Sequence, residues 1–205
     1  MKKFELTNEF ITNMFGTKLF RIRALVEFGD VEAGELGGYV EKESNLGHDD
    51  NAWVYDNAWV YGDAQVSGDA QVSGNARVYG DARVCGIALV YDNALVYDNA
   101  WVYGNAQVSS DARVCGDARV CGNGDYAYAH GFGSVNRTTT FFRLKDGGVG
   151  VRCGCFYGTL AQFRDKIRET HGETKKAQEY LMLADLMELR FEEDENEVGN
   201  RKYVE

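Results

Sequence analysis

The stretch Asp50-Asn-Ala-Trp-Val-Tyr55, Asp56-Asn-Ala-Trp-Val-Tyr61, Gly62-Asp-Ala-Gln-Val-Ser67 opens a run of twelve six-residue repeats that continues unbroken to Gly116-Asp-Ala-Arg-Val-Cys121. Within a hexad, an Ala in third place and a Val in fifth alternate with variable residues, the period of a short strand that turns two side chains to one face. The Gly, Asp and Asn residues between strands tolerate positive φ, so each pair marks a bend. Three strands and three bends close a triangular coil of 18 residues, and twelve hexads predict a mainly β protein built on about four coils of a parallel β-helix. At ~4.8 Å per coil the stack is ~19 Å tall.

Taking the hexads in threes predicts which side chains stack. One outward face carries Trp59/Tyr61, Arg77/Tyr79, Leu95/Tyr97 and Arg113/Cys115, a tyrosine ladder beside Trp59 and Leu95. A second face starts with an outward Trp53/Tyr55, and a third, more polar one carries Arg83/Cys85, Trp101/Tyr103 and Arg119/Cys121. A rigid aromatic strip with interspersed arginine has the composition of a binding hot spot, which makes Trp59, Tyr61, Arg77, Tyr79, Leu95, Tyr97 and Arg113 the candidate contact residues. The strip is covered by the C-terminal unit, by a second copy of the chain or by another protein. Asp63, Asp81 and Asp117 stack along one corner and supply a row of acid.

Around the repeats the chain divides into residues 1–49, 50–124, 125–191 and 192–205. The first is an N-terminal cap over the open first coil, with Phe4, Phe10, Ile11, Phe15, Leu19 and Phe20 as apolar cover. After Cys121 the segment Asn123 to Gly133 reads as a glycine-aromatic linker. Thr139–Leu144 and Val149–Phe156 then read as two strands around the turn Lys145-Asp-Gly-Gly148. Thr159 with Gln162 is a capping-box helix start, and a second helix spans about 175–191, which completes a C-terminal ββαα unit. An acidic tail ends the sequence.

The 205 residues are 44% hydrophobic and carry a net charge of −10, with nine Asp and four Arg in the repeats. Surplus acid repels phosphate, which argues against direct nucleic-acid binding and leaves two uses: solubility, or competition for a basic groove. No run reaches the ~20 apolar residues of a membrane span, and the start lacks a secretion signal, so a cytoplasmic location is expected. Five cysteines fit a reducing compartment. Cys153-Gly-Cys155 places two thiols on one face of a strand without further metal ligands nearby, and no metal or cofactor is expected.

The hexads, with the lead-in Gly34-Glu-Leu-Gly-Gly-Tyr-Val40 and Asn45-Leu46, resemble the hexapeptide-repeat, left-handed β-helix family, in particular bacterial and phage members labelled transferases. The resemblance implies left-handed coiling and, for the acyltransferases, a His general base with acyl-CoA bound between the subunits of a trimer. His130 and His48 are the residues that could fill that role; His171 sits where it favours a helix dipole. None of the three lies in the hexads, so enzymatic acyl transfer is the alternative expectation. The first is a non-enzymatic protein-binding module. The resemblance to phage members implies a phage origin, and a small, acidic, rigid phage protein with no visible catalytic group is expected to be an antagonist of a host nuclease, for example a CRISPR effector, with Asp63, Asp81 and Asp117 occupying a basic channel. Self-association through the tyrosine face is a further expectation.

Overall fold

The computed structural model describes residues 2–133 and 136–192. Each hexad forms one two-residue strand, β4 to β15, from Trp53–Val54 to Arg119–Val120. Strands 18 residues apart pair in parallel. The first face holds β5 (Trp59–Val60), β8 (Arg77–Val78), β11 (Leu95–Val96) and β14 (Arg113–Val114). The second holds β4 (Trp53–Val54), β7 (Gln71–Val72), β10 (Leu89–Val90) and β13 (Gln107–Val108). The third holds β6 (Gln65–Val66), β9 (Arg83–Val84), β12 (Trp101–Val102) and β15 (Arg119–Val120). The Ala and Val of every hexad are at most 1% exposed, so the interior is a column of methyl and isopropyl groups.

The bends explain the first residue of each hexad. Eleven of these corner residues have φ between 53° and 73°. Seven are glycine, which occupies that region without cost. Where Asp stands instead, its carboxylate accepts a hydrogen bond from the corner amide one coil on: Asp56 from Gly74 at 3.0 Å, Asp92 from Ser110 at 3.1 Å and Asp98 from Gly116 at 3.3 Å.

The helix is longer than the hexads by two strands. Tyr39–Val40, in β3 (Leu36–Val40), pairs in parallel with Trp59–Val60, and Leu46 bridges Val66, which brings the stack to about five turns instead of four. The hexad spelling is absent there because the packing is solved differently. Gly38 replaces the inner Ala, since a Cβ would come within 2.6 Å of the Ala58 carbonyl. Buried Asn45 donates from Nδ2 to the Gly62 and Ala64 carbonyls at 3.0 and 2.8 Å.

Upstream, β1 (Phe4–Thr12) and β2 (Lys18–Ala24) form a hairpin that extends the first face to seven strands. The apolar cover differs from expectation. Phe4 and Leu19 are fully buried, but Phe10 and Phe15 are 46% and 80% exposed, because the hairpin continues the sheet edgewise instead of lying across the coil. Closure comes from Phe4 and Phe28, whose rings sit 6.2 and 5.3 Å from that of Trp53. Trp53, expected to face outward, is thereby completely buried.

The C-terminal unit has four strands, not two: β16 (Tyr126–Phe132), β17 (Arg137–Arg143), β18 (Val149–Cys153) and β19 (Phe156–Thr159) make an antiparallel sheet. The expected linker is β16. The expected strand over 149–156 breaks at Gly154, φ 59°, so Cys155 lies exposed in a tight turn and does not share a strand face with Cys153. Two helices follow, α1 (Leu160–His171), with the Thr159/Gln162 capping box, and α2 (Lys175–Phe191).

The sheet closes the last coil: Arg113 N donates to Thr140 Oγ1 at 2.9 Å, Lys145 N to the Asp117 carbonyl at 3.0 Å, and Phe142 and Tyr126 join the solenoid core. Its opposite side, with Phe141 and Val151, packs on both helices. Of the expected acidic tail, residues 193–205 lie outside the described residues.

Candidate binding surface

The first face presents two columns. Along the outward fourth places run Arg21, Tyr39, Trp59, Arg77, Leu95 and Arg113, one per strand from β2 to β14. Two cation–ring contacts lie along this column: the Arg21 guanidinium lies 5.2 Å from the Tyr39 ring and that of Arg77 4.1 Å from Trp59. Arg21 also donates to the Tyr39 hydroxyl at 3.0 Å, and Tyr39 donates to Glu9 at 3.1 Å.

The second column is the tyrosine ladder. Tyr61 and Tyr79 stack with centroids 5.0 Å apart and planes at 5°, and Tyr79 and Tyr97 at 5.0 Å and 3°. That spacing is the coil repeat itself, so the backbone fixes the stack. Burial, reinforced by the neighbouring Tyr61 and Asp98, pushes the Tyr79 hydroxyl up to about 12. Burial and the Cys115 thiol raise Tyr97 as well.

Each tyrosine is followed at once by the acidic corner. Exposed Asp63, Asp81 and Asp117 occupy second places there with Asn99 between them, and Asp98 stands beside Asn99 at a first place. Asp63 is held by Lys42 at 2.7 Å, a hydrogen bond that keeps its carboxyl below the usual range. The corner therefore offers Asp81, Asp98 and Asp117 as acid and Asp63 as one half of an ion pair.

The Tyr97 end of the ladder differs from the rest. Tyr97 is 9% exposed, with Cys115 below it and Arg152 of β18 6.0 Å from its ring. Arg113 and Leu95 line a groove between the solenoid and the C-terminal sheet. The open stretch is Trp59, Tyr61, Arg77 and Tyr79. Tyr39, Arg21 and Arg152 were not among the sequence candidates, since they join the columns through the lead-in strands and the C-terminal sheet. Across the corner, the third face stacks Trp101 between Arg83 at 4.9 Å and Arg119 at 4.6 Å. The 18-residue spacing of those three residues was legible, but their electrostatic partnership was not read from it.

The histidines lie apart. His48 stacks on Phe4 at 4.4 Å and accepts from the Lys3 amide at 3.2 Å, beside the buried Lys3 ammonium that donates to the Asp50 and Ala52 carbonyls. His130 Nδ1 hydrogen bonds the Thr138 hydroxyl at 2.8 Å in the groove with Arg113, a space of about 500 Å³. His171 ends α1 and stacks on Tyr180 at 6.1 Å. Among the described residues no group of three or more His, Cys, Asp or Glu could hold a metal, and no helix is long and apolar enough to cross a membrane.

The family model of the YdcK beta solenoid repeat matches residues 70–86 and 88–104, nearly one coil each. No curated protein matches the chain. Through those two coils the chain is similar to the YdcK repeat, and its architecture is that of a parallel β-solenoid.

Proposed function

We propose that the protein is a non-enzymatic binding module that docks on a basic surface of another protein. The carrying observation is the tyrosine ladder with its acid row: Tyr61, Tyr79 and Tyr97 held 5.0 Å apart beside Asp63, Asp81, Asp98 and Asp117. Rings fixed by the backbone lose little entropy on binding, and a row of carboxylates steers and selects a cationic partner. A basic nucleic-acid channel is such a surface. The partner class is accordingly a nucleic-acid enzyme of the host cell, with the protein acting as a phage-encoded antagonist.

The test compares capture by the tagged wild type with capture by Asp63→Asn/Asp81→Asn/Asp117→Asn at moderate and high salt. The reading expects wild type to retain a nucleic-acid enzyme that salt releases and the triple variant to lose it. Equal capture by both refutes the acidic part.

A second reading, acyl transfer from acyl-CoA, draws on His130, whose ring lies in a groove of about 500 Å³ with Arg113 and Arg137. It requires a trimer, CoA binding, and turnover that His130→Ala abolishes; a monomer without CoA binding removes it.

A further inference from the structure

Between the C-terminal sheet and α1 lies a second cavity, of about 280 Å³, separate from the tyrosine face. Its walls are apolar and firmly packed: Phe163, Ile167 and Tyr180 are at most 5% exposed, and Phe156 completes the ring cage. The charged lining, Arg137 and Lys166, has one sign. Arg137, Lys166 and His171 line it, and among the described residues no Asp or Glu does, in a chain whose net charge is −10.

Lys166 is engaged with Glu169 at 2.7 Å, whereas Arg137 has no ion-pair partner among the described residues. Its guanidinium rests against the Gly154 turn, where a Cβ would come within 1.8 Å of Nη1, so glycine there lets the fork lie flat at the cavity edge. An apolar cage with one unpaired planar cation discriminates by charge and shape together.

We propose that this cavity binds a small carboxylic acid with a flat or short apolar body, its carboxylate on Arg137 and its body among Phe156, Phe163, Ile167 and Tyr180. The size sets the class, since the cavity is at the small end of the ~300–1,000 Å³ typical of ligand sites and suits a single ring. A planar carboxylate is favoured because the guanidinium fork matches two planar oxygens and Lys166 is already engaged with Glu169.

Benzoate and phenylacetate, with benzamide and benzyl alcohol as neutral counterparts, test this by calorimetry on the full chain. Exposed Cys155 lines the cavity and provides a second readout: a bound acid slows its alkylation while exposed Cys121, on the third face, reacts at an unchanged rate. The acids are expected to bind with Kd near or below ~1 mM and the neutral counterparts at least about tenfold more weakly. Arg137→Gln, folded by circular dichroism, is expected to remove that preference.

Equal affinity for acids and neutral counterparts overturns the proposal, as does failure of the acids to protect Cys155. A folded Arg137→Gln protein that keeps the preference overturns it too. The comparison of ligands on wild type needs no variant, so a misfolded Arg137→Gln leaves the test decisive.

Discussion

Asp92 isolates the force that shapes the corners. It sits mid-stack at φ 59°, exposed, with its carboxylate accepting from the Ser110 amide at 3.1 Å. Asp92→Ala keeps a Cβ in the left-handed region, which costs about 1–2 kcal/mol for a residue without a local polar side chain. It also forfeits one hydrogen bond worth about 1 kcal/mol. The sum is about 2–3 kcal/mol, or a fall in Tm of about 4–12 °C for a chain of this size. Asp92→Gly loses the same hydrogen bond but relieves the backbone, so the two terms nearly cancel, to within about 0.5 kcal/mol. Urea unfolding of the pair gives the answer, with glycine predicted to be more stable than alanine by about 2–3 kcal/mol. If alanine matches wild type, or glycine proves the worse of the two, corner strain and the inter-coil carboxylate bond are not what fix the hexad's first residue.

Two further outcomes follow from the packing. Burial raises the hydroxyls of Tyr61, Tyr79 and Tyr97, so part of the tyrosinate absorbance should appear only above the ordinary tyrosine range. Because the folded values exceed the unfolded ones, the associated stability is complete below pH ~10 and is lost as pH rises through the folded values, near 12 for Tyr79; normal titration of all tyrosines in the folded protein would contradict the ladder. Arg143 is 5% exposed and donates to the Phe191 carbonyl at 2.9 Å and the Gly147 carbonyl at 3.2 Å, beside Asp125 at 3.7 Å. Arg143→Ala should cost about 3–5 kcal/mol by removing the charged donor from the buried Phe191 and Gly147 carbonyls and the cation beside Asp125, whose carboxylate keeps its bonds from the Cys121 and Gly122 amides, and hydrogen exchange should locate the loss in α2 and β17.

How much was legible depended on whether the determining contacts were local. Inward Ala and Val, bends at Gly and Asp, and stacking at 18 residues all repeat within one hexad or one coil, so the period carried them. Tyr39 and Leu46 obey the same geometry without the spelling, because Gly38 and Asn45 solve the inner positions singly. Tyr126-Ala-Tyr-Ala-His130 had the alternation of a strand, yet the glycines around it read as a linker; its pairing with β17 decided the matter. Burial of Trp53 and the covering of Tyr97 by Arg152 arise from docking of distant segments, which no local pattern encodes. The role of Asp98 was missed for another reason: its position alternates with glycine, so it read as a turn residue, while the carboxylate reaches the next coil.

Both ends of the solenoid are closed, the first by Phe4 and Phe28 and the last by Phe142 and Tyr126, so the proposed partner would have to approach from the side. The open part of the first face spans two coils, Trp59/Tyr61 and Arg77/Tyr79, ~10 Å along the axis at ~4.8 Å per coil. Even with its flanks this is far below the ~800 Å² per partner of a stable complex. The missing area lies across the acidic corner, where the third face presents Trp101 clasped by Arg83 and Arg119. A partner that straddles Asp81 and Asp98 meets the tyrosine ladder on one side and Trp101 on the other. Trp101→Ala should therefore weaken capture about as much as Tyr79→Ala, roughly 30-fold each if both are anchors worth about 2 kcal/mol. Trp101 is only part-exposed and packs against Arg83 and Arg119, so capture is compared at a temperature where circular dichroism shows both variants folded. Unchanged capture by Trp101→Ala, with Tyr79→Ala impaired, would confine the partner to the first face and refute the straddling geometry.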